Sequence, residues 1–297
     1  MNTAVSRFRR WVSKVIDVLF FICCLCLLFL ALHVFVIVSF KVPSNSMRPT
    51  LLPGDYIWVE KCSAGARLFD VNAALDREEV HIHRLPGWRK FGRNDVVVFN
   101  FPYQPTYGDS IVFDIMKYYV KRIVAIPGDT LRIENGYYRI GGQAGLSTGY
   151  LPAQEQIAAL PDSGVMGIVT GTFPWRHELK WNIKQFGPLH IPARGESVRM
   201  DSIAWMLYQR LIEYEQHCRP TIDGQGHVWL GDSLIDEYCF RKNYYFVAGD
   251  NAYNSQDSRY WGMLPEEFIV GRVWRIWKSI EPSSDEIRWN RIFKKIE

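Results

Sequence analysis

The 297-residue chain has little cysteine, six in all, and three of these (Cys23, Cys24 and Cys26) fall inside one apolar run near the N-terminus. Cys62, Cys218 and Cys239 are an odd number with no Cys-x-x-Cys pair among them. That excludes a disulfide-stapled scaffold and a zinc ribbon as the organising principle of the body. The seven histidines show no ligand spacing beyond His81 and His83, which alternation along a strand explains, and they form no triad pattern. Internal repeats and low-complexity tracts are missing too, so a solenoid or a mostly disordered chain is excluded. Charge of one sign is scarce outside the first 14 residues. Those carry Arg7, Arg9, Arg10 and Lys14 and no acid, and they hold the whole formal charge of +4. The remaining 283 residues have 31 basic and 31 acidic side chains. A balanced body argues against nucleic acid as a partner, because such a surface needs a basic excess to release counterions.

What is present begins with that apolar run. Val18 to Phe40 contains only His33 as a basic or acidic group. As a helix at ~1.5 Å per residue its 23 residues cover roughly 34 Å, enough for a ~30 Å hydrocarbon core. A cleavable signal peptide would have a shorter apolar region and a small-x-small exit. This run leaves through Ser39, Phe40 and Lys41 instead, so it reads as an uncleaved anchor. No second stretch approaches 18 apolar residues, and the protein is expected to cross the membrane once. The cations before the anchor put the N-terminus in the cytoplasm by the positive-inside rule and the body on the opposite side.

After the anchor the pattern is β. Asp55 to Glu60, Asp95 to Asn100 and Tyr118 to Ile126 are short β-branched and aromatic runs. Pro53-Gly54 and Pro127-Gly128-Asp129 punctuate them, and Asn135-Gly136 is a strong hairpin signal. Residues 139–235 differ, being rich in Gly, Pro and Ser with one helical stretch at Ser202–Gln216. They read as an inserted non-catalytic lobe. A smaller excursion covers 62–92. Trp88, Phe101, Tyr103 and Tyr107 suit a membrane-interface surface and a barrel core equally well. The expected plan has a cytoplasmic segment 1–17, an anchor 18–40, a β catalytic domain built from 41–138 and 236–281, and a C-terminal tail 282–297.

Four segments carry chemistry. They are Val42 to Leu51 with its Ser44-x-Ser46-Met47-x-Pro49-Thr50 box, Arg93 to Phe99, Tyr119 to Asp129 with Lys121-Arg122 ahead of a Pro-Gly-Asp turn, and Gly249 to Gly262 with Gly249-Asp250-Asn251 and Ser255-x-Asp257-Ser258-Arg259. A serine hydroxyl needs a base before it attacks. On alternation Lys121 shares a face with Tyr119, Ile123 and Ala125, where lost hydration favours the neutral amine. Arg122 shares its own face with Val120, Val124 and Ile126, so alternation alone does not choose between the two cations.

In this order the segments resemble the type I signal peptidases, membrane-bound Ser/Lys endopeptidases. The resemblance implies a mainly β, signal-peptidase-like barrel or sandwich with an inserted lobe behind one transmembrane helix. It implies Ser46 as nucleophile, Lys121 as general base, and Ser44 with the Ser46 backbone N–H as oxyanion hole. Ser255 would hydrogen-bond Lys121, Asp257 would pair with Arg259, and Asp250 would pair with Arg122 or Arg259. Neither cofactor nor metal is called for. The implied partners are signal peptides of secretory preproteins, cut after small residues at −1 and −3, and the lipid bilayer of a bacterial inner membrane. Asn94 and Ala252 depart from the family pattern, where glycine and arginine are usual, and the 62–92 excursion lengthens the gap from Ser46 to Lys121. Two alternatives remain at this level: a specialised Ser/Lys peptidase maturing pilin or conjugation proteins, and a non-catalytic membrane-tethered peptide-binding module.

Overall fold

The chain begins in a helix, α1 (Asn2–Phe35), whose stretch Trp11–Phe35 is long and apolar enough to cross a membrane. Among the described residues of the computed structural model (2–76, 78–103, 110–141, 148–161 and 164–296) it is the one helix that meets that test. It stops five residues short of the expected Phe40. Val36, Ile37 and Val38 are β-branched and prefer an extended backbone, and Ile37–Lys41 forms strand β1, paired along its whole length with β2 (Asp55–Glu60).

The chain continues through β3 (Val96–Asn100), β4 (Tyr118–Ala125), β5 (Thr130–Glu134), β6 (Tyr137–Ile140), α2 (Leu151–Ala158) and β7 (Gln185–His190). It then forms α3 (Ser202–Gln216), β8 (Tyr244–Ala248), α4 (Ser258–Trp261), β9 (Leu264–Pro265) and β10 (Ile269–Ser279). Seven strands make one sheet in the order β1-β2-β10-β3-β4-β8-β9, antiparallel throughout. Its central strands are buried on both faces. In β3, Val97 and Phe99 enter the larger core with Ile123 and Phe246, while Val96 and Val98 enter a second core with Met47, Leu51 and Ile276. This explains why both faces of the Lys121 strand read as apolar. Sequence remoteness is no obstacle here, because β10 sits between β2 and β3.

A smaller sheet, β6-β5-β7, packs against the first. Its β5–β6 turn is the Asn135-Gly136 pair, with φ of 52° and 88°, the two positive values a two-residue hairpin requires. The sheet starts at Thr130, so it takes in residues assigned by sequence to the catalytic domain. Leu207, Leu211 and Ile212 of α3 share the core that holds Phe99 and Ile123. Helix α3, with Phe186 and Leu189 of β7, is therefore packed into the same core, while Ala153, Ile157 and Ile183 form a small cluster of their own. Helix α3 itself spans the expected Ser202–Gln216, started by the Asp201 carboxylate accepting from the Ala204 N–H at 2.8 Å.

The C-terminal segment and the aromatic residues add two features. The segment 282–296 is tied to β10: Phe293 N–H donates to Ile276 C=O at 2.7 Å and Ile296 N–H to Trp274 C=O at 3.1 Å. Arg291 donates to the buried Asp55 carboxylate at 2.6 and 3.1 Å, and Ser279 Oγ donates to the same carboxylate at 2.6 Å. Of the aromatics weighed for a surface, Tyr103 is buried, Phe101 packs edge-on against Trp261, and Trp88 is exposed. Tyr107 lies outside the described residues. The exposed aromatic surface is elsewhere, where Trp58 stacks with Trp274 and Trp277 near Phe293.

Replacing Asp55 by Asn leaves the Arg291 guanidinium without its buried counter-charge. The expected loss is about 3 kcal/mol of unfolding free energy, the usual scale for breaking a buried pair. Denaturant titration of the detergent-solubilised protein measures it, and limited proteolysis should begin within residues 282–296.

Candidate active site

Residues 42–54 form a loop between β1 and β2, closed at its base by Val42 N–H donating to Asp55 C=O at 2.8 Å and Gly54 N–H donating to Val42 C=O at 2.9 Å. Met47 and Leu51 are fully buried and pin the loop to the second core. Ser46 is held between these anchors. A second loop, after β8, supports it from below: Asn251 N–H donates to Ser46 C=O at 3.0 Å and Asn251 Nδ2 to Asn45 C=O at 3.1 Å. Gly249 makes the approach feasible. A Cβ there would lie 2.2 Å from Ser255 Oγ and 2.5 Å from the Ser46 carbonyl oxygen, both well inside contact distance.

Lys121 reaches this loop from β4. Its Nζ is 2.7 Å from Ser46 Oγ and donates to the Val120 carbonyl at 3.1 Å, and the residue is 2% exposed. Burial pulls its pKa from the ordinary lysine value down to about 8, against the opposing pull of Asp257 and with help from Arg259. The acids near it are taken by arginines. Asp250 accepts from Arg122 Nε and Nη2 at 2.8 and 2.7 Å, and Asp257 accepts from Arg259 Nε and Nη2 at 2.8 Å each. These bidentate pairs decide between the two cations that alternation left equivalent. Arg122 is consumed by Asp250 and by the Asn94 carbonyl at 2.9 Å, whereas Lys121 faces a hydroxyl. Burial works to raise the Asp257 carboxyl, but Arg259 outweighs it and keeps the pKa below the usual range.

Ser44 sits exposed beside the nucleophile candidate, with Oγ 3.3 Å from Ser46 Oγ. Ser255 differs from expectation. Its buried hydroxyl makes no bond to Lys121; it lies against Gly249 and helps hold the Asp257 carboxyl below the usual range. A groove of about 380 Å³ opens in front of Ser46 and Lys121, walled by Phe40, Val42, Ile57, Val98, Tyr119 and Val120. Its apolar wall was not singled out by motif, since these residues look like ordinary strand positions. Asn94 was noted only as a departure from glycine. It adopts φ 69°, and its side chain accepts from Gly149 N–H at 2.7 Å. Among the described residues no three His, Cys, Asp or Glu side chains gather to hold a metal.

The family model described as "Signal peptidase, peptidase S26" matches residues 14–277. The chain belongs to the signal peptidase S26 family. It is 27% identical over 282 residues to signal peptidase I of Buchnera aphidicola from Acyrthosiphon pisum, covering 89% of this chain and 78% of that relative. To signal peptidase I of Pseudomonas aeruginosa PAO1 it is 29% identical over 263 residues, covering 84% and 68% respectively. A crystal structure of a signal peptidase I from Enterococcus faecalis V583 aligns with 62% of this chain and 97% of its own, at 18% identity and a TM-score of 0.30.

A signal peptidase is a peptidase, and the S26 match covers the segments that hold Ser46, Lys121 and the loop from Gly249. A Gly-x-Ser-x-Gly spacing occurs at Gly145–Gly149, and its serine, Ser147, lies outside the described residues.

Two outcomes follow for this signal peptidase. Gly249→Ala should lower peptidase turnover by about 100-fold, the scale of a 1 Å misplacement, and lower unfolding stability by about 1–3 kcal/mol, the scale of an overpacked site. Lys121→Met should stabilise the protein by about 2 kcal/mol at pH 7. The unfolded chain holds a proton up to the ordinary lysine value while the folded one releases it near 8, so stability of the wild type rises with pH across that window. The difference between the two proteins should therefore shrink toward pH 10 in denaturant titrations.

Proposed function

We propose that this signal peptidase is a membrane-bound serine endopeptidase that removes N-terminal signal peptides from exported preproteins by a Ser46–Lys121 mechanism. The observation that carries the reading is the 2.7 Å approach of Lys121 Nζ to Ser46 Oγ at a lysine drawn down to about 8 by burial. The ammonium donates to the hydroxyl at low pH. Once neutral, the amine accepts from it and serves as the base.

The steps follow from the donors and acceptors. Ser46 Oγ attacks the scissile carbonyl carbon as its proton passes to Lys121 Nζ. The Ser44 hydroxyl and the Ser46 N–H hold the oxyanion, a contact of the kind worth ~10²–10³ in rate. The intermediate collapses, Lys121 protonates the departing amine of the mature protein, and the signal peptide remains esterified to Ser46. Water then attacks the ester as its proton passes to Lys121, and Lys121 returns that proton to Ser46 Oγ as the ester C–O bond breaks and the signal peptide leaves with a new carboxyl terminus.

The groove supports an extended substrate. Strand β8 pairs with β4 only from Arg122 to Ala125, so the Tyr118–Lys121 edge on that side is not covered by it. A peptide laid along that edge gains backbone hydrogen bonds, and shallow apolar walls suit small side chains at −1 and −3. The Phe40 and Tyr118 rings, 4.9 Å apart, narrow one end.

The membrane reading rests on α1 and on charge. The cations at Arg9 and Lys14 favour a cytoplasmic N-terminus, leaving the catalytic body on the extracytoplasmic side of a bacterial inner membrane. Exposed Trp274 and Phe293, beside Trp58, suit contact with the bilayer surface.

The decisive experiment compares Lys121→Arg and Lys121→Ala with wild type on a purified preprotein across pH 6 to 10. A guanidinium cannot release its proton at these pH values, so both variants should lose at least ~10³-fold in kcat/KM. Wild-type activity should rise through one ionisation near 8. Retention of a tenth of the activity by Lys121→Arg would rule Lys121 out as the base.

A further inference from the structure

Helix α1 meets the sheet without a linker, since only Val36 separates Phe35 from Ile37. The β1–β2 ladder also continues past its last strand pair: Lys61 N–H donates to the Val36 carbonyl at 2.9 Å. From there the Lys61 side chain turns onto the helix end, where Nζ donates to the carbonyls of His33 at 2.9 Å and Val34 at 3.1 Å. These belong to the last four carbonyls, which a helix leaves without internal partners. A cation is favoured at that negative end of the dipole. Burial, and then Arg67, lower the Lys61 ammonium to about 8, so it remains mostly charged at neutral pH. In the other direction β1 leads through five residues, about 17 Å of paired strand, to the base of the loop that carries Ser46. The route from helix end to Ser46 is a hydrogen-bonded ladder closed at one end by Lys61 and at the other by Val42 and Asp55.

We propose that Lys61 is a positioning residue that clamps the membrane helix to the catalytic sheet. The clamp sets the height of Ser46 above the bilayer, and with it the number of residues accepted between a substrate's apolar segment and its cleavage site. This rests on the peptidase reading given above. A substrate still held by its own apolar segment is measured against α1 lying beside it in the same bilayer. A helix free to tilt relative to the sheet would let Ser46 reach several sites.

The test uses the full-length protein in phosphatidylethanolamine–phosphatidylglycerol vesicles. The substrate is a preprotein carrying two small-x-small sites three residues apart, with the products identified by mass spectrometry. Wild type and Lys61→Arg should favour one site. Lys61→Met, which cannot donate, should shift the product ratio by about fivefold or more, the scale of a cation at a helix end. Its cleavage of a short soluble peptide without an apolar segment should stay within about twofold of wild type. An unchanged ratio, or a fall in peptide cleavage parallel to the preprotein, would overturn the proposal. Should Lys61→Met fail to fold, insertion of two glycines between Val36 and Ile37 decides by the same readout, because it moves the helix-end carbonyls away from Lys61 while keeping the lysine itself. Failure of the wild type to cut the preprotein at all would instead count against the peptidase reading.

Discussion

A lysine buried to 2% exposure beside a serine hydroxyl is the constraint around which the rest of this molecule is arranged. An ammonium in that setting is costly, and a nearby free carboxylate would remove the cost by pairing with it, holding it charged. Asp250 and Asp257 are both near enough to raise the Lys121 pKa. Each is already held bidentately by its own arginine, Arg122 and Arg259. The two ion pairs therefore act as a neutral frame. They order the loop beneath Ser46 and leave burial as the largest influence on Lys121.

That frame couples parts of the chain that lie far apart in sequence. Thr50, four residues past Ser46, donates its hydroxyl to Asp250, and its carbonyl accepts from Arg291 at 3.0 Å. Arg291 in turn holds Asp55, at the other end of the same loop. The loop bearing the nucleophile candidate is thus gripped by the Gly249 loop on one side and by the C-terminal segment on the other. Rigidity of this kind keeps the Ser46 hydroxyl at a fixed distance from Lys121, and for groups that react an error of 1 Å is expensive in rate. It also gives the last residues of the chain a structural task that their polar composition does not announce.

The apolar helix α1 belongs to the same mechanical unit. It passes into β1 through a single residue, and β1 is paired along its whole length. The apolar run that reads as one continuous span is divided between helix and strand. The division falls where β-branched residues meet a partner strand able to take their backbone groups. The aromatic surface of Trp58, Trp274, Trp277 and Phe293 comes from β2, β10 and the C-terminal segment, so it exists only once those elements are adjacent.

How much of this was legible depends on the range of the interaction. The apolar N-terminal helix, the strand-rich body, the Asn135-Gly136 hairpin and helix α3 were readable because their signals are local: apolar length, β-branched runs, turn residues and a capping aspartate. The motifs made Ser46, Lys121, Ser44, Asp250, Arg122, Asp257 and Arg259 candidates because their residue types are tied to one chemistry. Strand alternation alone did not separate Lys121 from Arg122, since both faces of their strand are apolar; in the structure Asp250 takes Arg122 while Lys121 faces Ser46. Also not legible were the surroundings of Ser255, the apolar groove wall, the docking of residues 282–296 and the inclusion of α3 in the common core. Each depends on which distant elements become neighbours, and a two-residue periodicity carries no record of that. The sequence determined which chemical groups the protein has and which local shapes they take. The tertiary structure alone decided which of them meet, because burial, desolvation and ion pairing are properties of surroundings that no single segment supplies.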